Sequence, residues 1–218
     1  MKCYSTALLI YFLSFSCNND SLKENNEVSS PKPLSRAELF NCDYAKCKAR
    51  SNILYKQYTT HPDSITKQTL INNIRDSLFA CWYGTAWDFN GITEEPGKGK
   101  IACGYFVTTI LRDMGIPLKR YKHAQMASEE MINAICLKNN ISRYVNEDIP
   151  SFVEKIKAKG AGLYIAGLDF HTGFILNDGY EVYFVHSNYA GKKVVMSEIA
   201  VESGVLATSK KIVTGKII

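Results

Sequence analysis

Residues 162–187 read GLYIAGLDFHTGFILNDGYEVYFVHS. Three segments rich in Ile, Val, Tyr and Phe, namely Gly162–Leu168, Phe170–Leu176 and Glu181–Ser187, read as strands. Asn177-Asp178-Gly179 between the last two is a strong hairpin signal. Val194–Ser197 and Lys211–Ile217 complete a five-stranded antiparallel sheet. Upstream the apolar period changes to that of helices. Ser35-Arg36-Ala37-Glu38 has capping-box spacing and opens a helix to about Tyr58. Ser64 starts a second, with Ile65, Leu70, Ile71, Ile74, Leu78 and Phe79 on one face up to Tyr83, and Gly84 ends it. After a Gly-, Pro- and Lys-rich loop, Asn90 to Lys100, a third helix begins near Cys103. Its Phe106, Val107, Ile110, Leu111 and Met114 recur at helical spacing before Gly115 and Pro117. Ala124–Leu137 and Ile149–Ala158 read as two more, Pro150 being tolerated in an opening turn. Helices first and sheet second predict an α+β fold.

The N-terminus reads differently. Lys2 precedes an apolar run, Ala7 to Phe15, too short to span a bilayer, which ends in Ser16-Cys17 before polar Asn18, Asn19 and Asp20. Residues 1–16 therefore read as an export signal. The junction resembles the lipobox of bacterial lipoproteins, although Ser14 occupies the usual branched apolar position. That resemblance implies that Cys17 is a lipid anchor holding an exported protein on a bacterial membrane, periplasmic or surface-exposed. Residues 17–34 have almost nothing to bury and read as a disordered tether, leaving 35–218 as one domain. The 26 Lys and Arg against 21 Asp and Glu give a net charge of +5 with no long basic run, which argues against a nucleic-acid binder. No stretch of 18 apolar residues lies beyond the N-terminus, so a polytopic membrane protein is excluded.

Of seven cysteines, losing the signal and lipidating Cys17 leaves five, at 42, 47, 81, 103 and 136. Five is odd, so one thiol is expected to stay free; with Cys103 free, the rest allow three pairings. Within a helix, Cys42 and Cys47 would lie about 140° apart and not face one another. A zinc site on that pair lacks two further ligands.

Cys103 would sit in its helix's first turn, where unpaired N–H groups and the helix dipole favour a thiolate and lower the thiol pKa. His171 opens one strand of the hairpin and His186 nearly closes its partner, so antiparallel pairing brings them together. This supplies a nucleophile, Cys103, a base, His171, and an orienting group, His186. Asn188, two residues further on the same strand face, competes for the third role. His61 and His123 read as structural, with a binding role open for His123. The clusters Lys119, Arg120, Lys122 and Lys192, Lys193 read as solvated faces.

These residues resemble the NlpC/p-sixty cysteine peptidases, which cut the peptide stems of bacterial cell wall. Cys103-Gly104-Tyr105-Phe106-Val107 is similar to the family's Asp-Cys-Ser-Gly-Phe-Val motif. Phe170-His171-Thr172-Gly173-Phe174-Ile175 and Tyr183-Phe184-Val185-His186-Ser187 resemble its two histidine strands, and Gly84 to Gly91 its Gly-Thr-Pro-Tyr-x-Tyr-Gly-Gly segment. The resemblance runs from about Leu78 to the C-terminus and implies a papain-like fold. It also implies amide hydrolysis in peptidoglycan stem peptides through a thioester, with the backbone N–H of Cys103 and a second donor holding the oxyanion, and it implies neither a metal nor an organic cofactor. Ala102 stands for the family's aspartate, Gly104 for its serine and Trp87 for its tyrosine. Gly104 and Trp87 are the substrate-binding candidates, and their departures leave substrate choice open. Two other readings compete: a non-catalytic envelope lipoprotein using the fold for binding, and an amidase or acyltransferase acting outside the cell wall.

Overall fold

The computed structural model describes residues 42–218. The signal, Cys17, the tether and the Ser35 capping box lie outside the described residues. In chain order the elements are α1 (Tyr44–Thr60), α2 (Ser64–Asn73, continued by a π-helical turn Ile74–Phe79 and Ala80–Trp82), β1 (Ala86–Trp87) and β2 (Lys100–Ile101). Then follow α3 (Cys103–Asp113), α4 (Arg120–Ala124), α5 (Ser128–Ile135), β3 (Ile141–Val145) and α6 (Ile149–Ala158). Strands β4 (Gly162–Gly167), β5 (Thr172–Asn177), β6 (Val182–Ser187) and β7 (Val195–Ile199), the short α7 (Gly204–Ala207) and β8 (Lys211–Lys216) complete the chain. Among the described residues no helix is long and apolar enough to cross a membrane.

The α+β expectation holds, but the antiparallel sheet has six strands, not five, in the order β3-β8-β4-β5-β6-β7. The extra strand is β3, which pairs with β8 from Ile141↔Gly215 to Val145↔Lys211. Only Tyr144 of its five residues is buried, so this edge strand carries almost no apolar signal. A parallel pair, β1 with β2, was likewise not expected.

The central strands are buried on both faces, which is why they read as apolar runs. Alternate side chains divide between two cores. Leu163, Ile165, Phe174, Leu176, Tyr183 and Val185 meet α2 and α3, while Tyr164, Ile175 and Phe184 meet Phe152 and Ile156 of α6. Helix α3 contributes Phe106, Val107, Ile110, Leu111 and Met114, all fully buried at the anticipated spacing. At about 1.5–3 kcal/mol for each fully buried apolar side chain, this face fixes the helix on the sheet.

Helix α2 is capped by Asp63, whose carboxylate accepts from the N–H groups of Ile65 and Thr66. Ile65, expected on the buried face, is 77% exposed in the helix's first turn. The π-helical turn resets the face, so that Ile74, Leu78, Phe79 and Trp82 are all buried. From α2, Arg75 pairs with the buried carboxylate of Asp178 in the β5–β6 turn, and Gln68 donates to the Asp178 carbonyl. Gly179 at φ 99° confirms the glycine requirement of that turn. The helix expected over 124–137 is shorter, α5 from Ser128 to Ile135, because Ala127 leaves the helical conformation, Glu129 and Glu130 favour an N-terminus at Ser128, and Ala124 instead ends the preceding α4. Arg120 is only 5% exposed, contrary to its reading as part of a solvated face. Its guanidinium donates to Thr109 Oγ1 and to the carbonyls of Ile92 and Thr93, clamping the loop before Cys103 against α3.

Candidate active site

The path of the chain into Cys103 is held by hydrogen bonds from three directions. Ala102 N–H donates to the Gly91 carbonyl at 2.8 Å, Ser187 Oγ of β6 donates to the Ile101 carbonyl at 2.7 Å, and Arg120 secures the preceding loop. Cys103 is the first residue of α3, whose first helical bond runs from Phe106 N–H to the Ala102 carbonyl. The amides of its opening turn are therefore unpaired within the helix.

Cys103 and His171 line the same cleft, of about 410 Å³, together with Gly104, Glu129, Asp169 and Phe170. Strand β5 begins at Thr172, one residue after His171 and not at Phe170, whose side chain is 95% exposed at the cleft rim. His171 Nε2 lies 2.9 Å from His186 Nδ1. The register explains the contact, since Phe174 pairs with Val185 and the two histidines are diagonal neighbours on one sheet face. Gly173 makes room between them: a Cβ there would come within 2.8 Å of both the His186 Cβ and the Phe184 ring. The His186 ring in turn stacks on Phe184 with centroids 4.2 Å apart.

Between the two candidates for the third position, the geometry brings His186 to His171. Asn188 turns away, its Oδ1 accepting from Ala190 N–H and its Nδ2 facing Met196 Sδ. Sequence reasoning missed a fourth member, Glu198. Its Oε1 is 3.3 Å from His186 Nε2, within ion-pair distance but off the line of a hydrogen bond, and that fully buried nitrogen has no hydrogen-bond partner among the described residues. Ser203 Oγ donates to the same carboxylate oxygen and accepts from Leu206 N–H as the cap of α7. The hairpin register holds the signal that was available, because Phe184 pairs with Glu198 and His186 with Met196, which makes Glu198 the diagonal neighbour of His186.

This order of groups fixes the protons. Glu198, held below its ordinary carboxyl range by His186 and Ser203 against the upward push of burial, is an anion at neutral pH. An anion at that distance favours a proton on His186 Nε2, which leaves Nδ1 a lone pair; that accepts the proton on His171 Nε2 and leaves His171 Nδ1 without a proton. Both imidazoles are neutral at rest. Burial, then His186, lowers His171 to about 3, and burial lowers His186 against the pull of Glu198.

The expectation of a lowered thiol pKa at Cys103 is overturned. Burial pushes the thiol up, outweighing the N–H groups of Thr172, Gly104 and Cys103 itself that face the sulfur. The resting site thus holds a neutral thiol and a neutral imidazole that line one cleft, and the proton would pass only as the sulfur attacks.

Of the two substrate-binding candidates, Gly104 lines the cleft, but its residue type is set by packing. A Cβ there would meet the Ala124 carbonyl oxygen at 2.2 Å, so only glycine lets α4 approach α3 this closely. Gly104→Ala is expected to cost about 1–3 kcal/mol by forcing the two helices apart. Urea denaturation reads the loss as a lower midpoint at unchanged slope, and a variant as stable as the parent would refute the constraint. Trp87 is not among the cleft-lining residues. It packs against Tyr189, 6.5 Å between centroids, with Lys193 Nζ 5.4 Å from its ring centroid, and reaches His171 only through Tyr189. His61 is exposed at the end of α1, and His123 Nδ1 accepts from Lys119 N–H outside the cleft.

One disulfide joins Cys42 to Cys81, and among the described residues three cysteines, 47, 103 and 136, are free instead of the single one expected. Among the described residues Cys136 has no thiol partner, and burial pushes it up to about 11. Cys42 and Cys47 do face one another, Sγ to Sγ 3.9 Å, because α1 begins only at Tyr44 and Cys42 precedes its cap, Asp43. The sulfurs of Cys42, Cys47 and Cys81 all lie within 4.8 Å of one another. With two of them bonded together, the cluster offers a metal one thiolate and does not fit zinc's four-ligand requirement.

The chain matches no family model, no curated protein and no solved structure.

Proposed function

We propose that this chain is an exported, lipid-anchored cysteine hydrolase of papain-like, NlpC/p-sixty type, cleaving a peptide amide bond in peptidoglycan stem peptides. The observation that carries the reading is the line of groups from Cys103 through His171 and His186 to Glu198, with its first two members in one cleft. In the proposed reaction Cys103 Sγ attacks the amide carbonyl while His171 Nδ1 takes the thiol proton. The tetrahedral oxyanion forms against the free amides at the start of α3. Its collapse breaks the C–N bond as His171 returns the proton to the departing amine, leaving a thioester. Water, deprotonated by His171, then attacks the thioester, releasing the acid and restoring the thiol.

Ala102 supplies no carboxylate beside the nucleophile. The acidic groups in the cleft are Glu129, already paired with Lys211 and Arg143, and Asp169. A stem peptide's free amine would meet Asp169. The test incubates the full chain, with Cys103→Ala in parallel, with purified peptidoglycan and reads soluble products by mass spectrometry. Fragments released by the parent and not by the variant are expected, and their masses identify the bond. The same products from both proteins, or none from either, would overturn the proposal.

A further inference from the structure

The Cys42, Cys47, Cys81 cluster lies apart from the cleft and has no part in the proposed hydrolysis. Cys81 is its fixed member, 1% exposed at the end of α2, with its Cα 5.6 Å from that of Cys42. Cys42 and Cys47 are both half-buried. Cys47 carries a free thiol whose sulfur is 3.5 Å from Cys81 Sγ, which is van der Waals contact between a potential nucleophile and a disulfide sulfur. Two sulfurs therefore stand within reach of one buried partner; Cys47 Sγ, 3.9 Å from Cys42 Sγ as well, lies to the side of the bond, and a turn of its side chain must bring it in line before it attacks.

We propose that these three cysteines form a thiol–disulfide exchange site in which the bridge to Cys81 passes between Cys42 and Cys47. The Cys47 thiolate attacks Cys81 Sγ, the Cys47–Cys81 bond forms, the Cys42–Cys81 bond breaks, and Cys42 leaves as a thiolate that takes up the proton Cys47 lost. The exchange is redox-neutral and needs no outside oxidant or reductant. Attack on Cys42 Sγ instead would expel Cys81 as a thiolate into the core, where an unpaired charge is strongly disfavoured. Exchange is thus confined to the two isomers that keep Cys81 bonded. Burial and the nearby Asp43 carboxylate raise the Cys47 thiol, which keeps it protonated beside an intact bridge at rest.

The isomers differ in what they hold. A bridge to Cys42 clamps the segment entering the domain, ahead of the Asp43 cap, to the end of α2. A bridge to Cys47 clamps the first turn of α1 itself and leaves Cys42, ahead of the helix, with a free thiol. That thiol is then open to capture by a disulfide-bearing molecule.

The test equilibrates the full chain in mildly alkaline buffer without added thiol, quenches with acid, alkylates free thiols and digests after Asp and Glu. Cleavage after Asp43 puts Cys42 and Cys47 in different peptides, and Cys3 and Cys17 fall in another, before Asp20. Both bridges are expected, each at about a tenth of the total or more, since the bonds are chemically alike. Every molecule bridged at Cys47 should carry an alkylated Cys42. Cys47→Ser should hold the Cys42–Cys81 bridge alone, and Cys42→Ser, shown to be folded by circular dichroism, should bridge Cys47 to Cys81. Detecting only Cys42–Cys81 in the parent would overturn the proposal, as would a folded Cys42→Ser protein with Cys47 and Cys81 both alkylated. If Cys42→Ser does not fold, the parent's bridge map decides alone.

Discussion

Glu198→Gln is expected to lower kcat by about 10³-fold with KM little changed, measured on a soluble muropeptide cut by the parent. The carboxylate touches no substrate and acts through two rings. As an anion it can only accept, and this polarises the sequence Glu198, His186, His171 so that His171 Nδ1 is bare. A glutamine amide has an N–H of its own to donate to His186 Nε2. The proton on His186 then moves to Nδ1, His171 must accept at Nε2, and its own proton then occupies Nδ1, the nitrogen that should deprotonate the thiol. The analogous Asn-for-Asp change behind the histidine of a serine-protease triad costs about 10⁴ in kcat through the wrong tautomer. One ring further away, a somewhat smaller loss is expected. Ser203→Ala, which removes one hydrogen bond to the carboxylate and leaves its charge, should cost about tenfold or less. Glu198→Asp keeps the acceptor and should recover part of the loss. A glutamine variant within about twofold of the parent would place Glu198 outside the proton path.

The parts of this arrangement visible in the sequence are those whose residues carry a local signal. The Asn177-Asp178-Gly179 turn is such a case, and it fixes the β5–β6 register that joins His171 to His186. The 3.6-residue period after Cys103 is another, since all five residues of that stripe are buried. What stayed hidden depends on partners distant in the chain. Strand β3 buries one tyrosine and becomes a strand only because the C-terminal β8 offers it an edge. Glu198 reads as an ordinary acid at the end of a strand until the β6–β7 register sets it diagonal to a buried histidine. The Cys42–Cys47 contact was obscured by a helix start placed at Ser35, whereas the Asp43 cap leaves Cys42 outside α1 and free to turn back. The direction of the Cys103 thiol pKa was misjudged for a related reason. Dipole and amides are local and legible, but burial, the larger effect here, comes from the sheet packed against them.

That same burial leads to a strong dependence of stability on acid. His171 is 5% exposed beside a second imidazole, and protonating it would place a charge in the core; its pKa falls to about 3 from the ordinary 6.5. The folded chain therefore binds no proton at this ring until about pH 3, whereas the unfolded chain binds one as pH falls through about 6.5. Over that interval the unfolded state holds more protons, so stability contributed by the neutral ring is complete above 6.5 and drains as pH drops towards 3. A separation this large corresponds to a loss on the order of 5 kcal/mol, and the lowered His186 steepens the slope. Urea midpoints measured from pH 7.5 down to 4 should fall steeply for the parent and much less for His171→Gln, which cannot take up the proton. Parallel curves for the two proteins would mean that His171 titrates normally and is not buried as a neutral base. The same protonation governs activity. With the thiol high and the imidazole low there is no thiolate–imidazolium pair to lose, so kcat/KM should show no acid limb near pH 6.5 and should decline only where the fold itself fails. A limb near 6.5 without loss of fold would show that the base is solvated in the working enzyme, and the tautomer argument for Glu198 would fall with it.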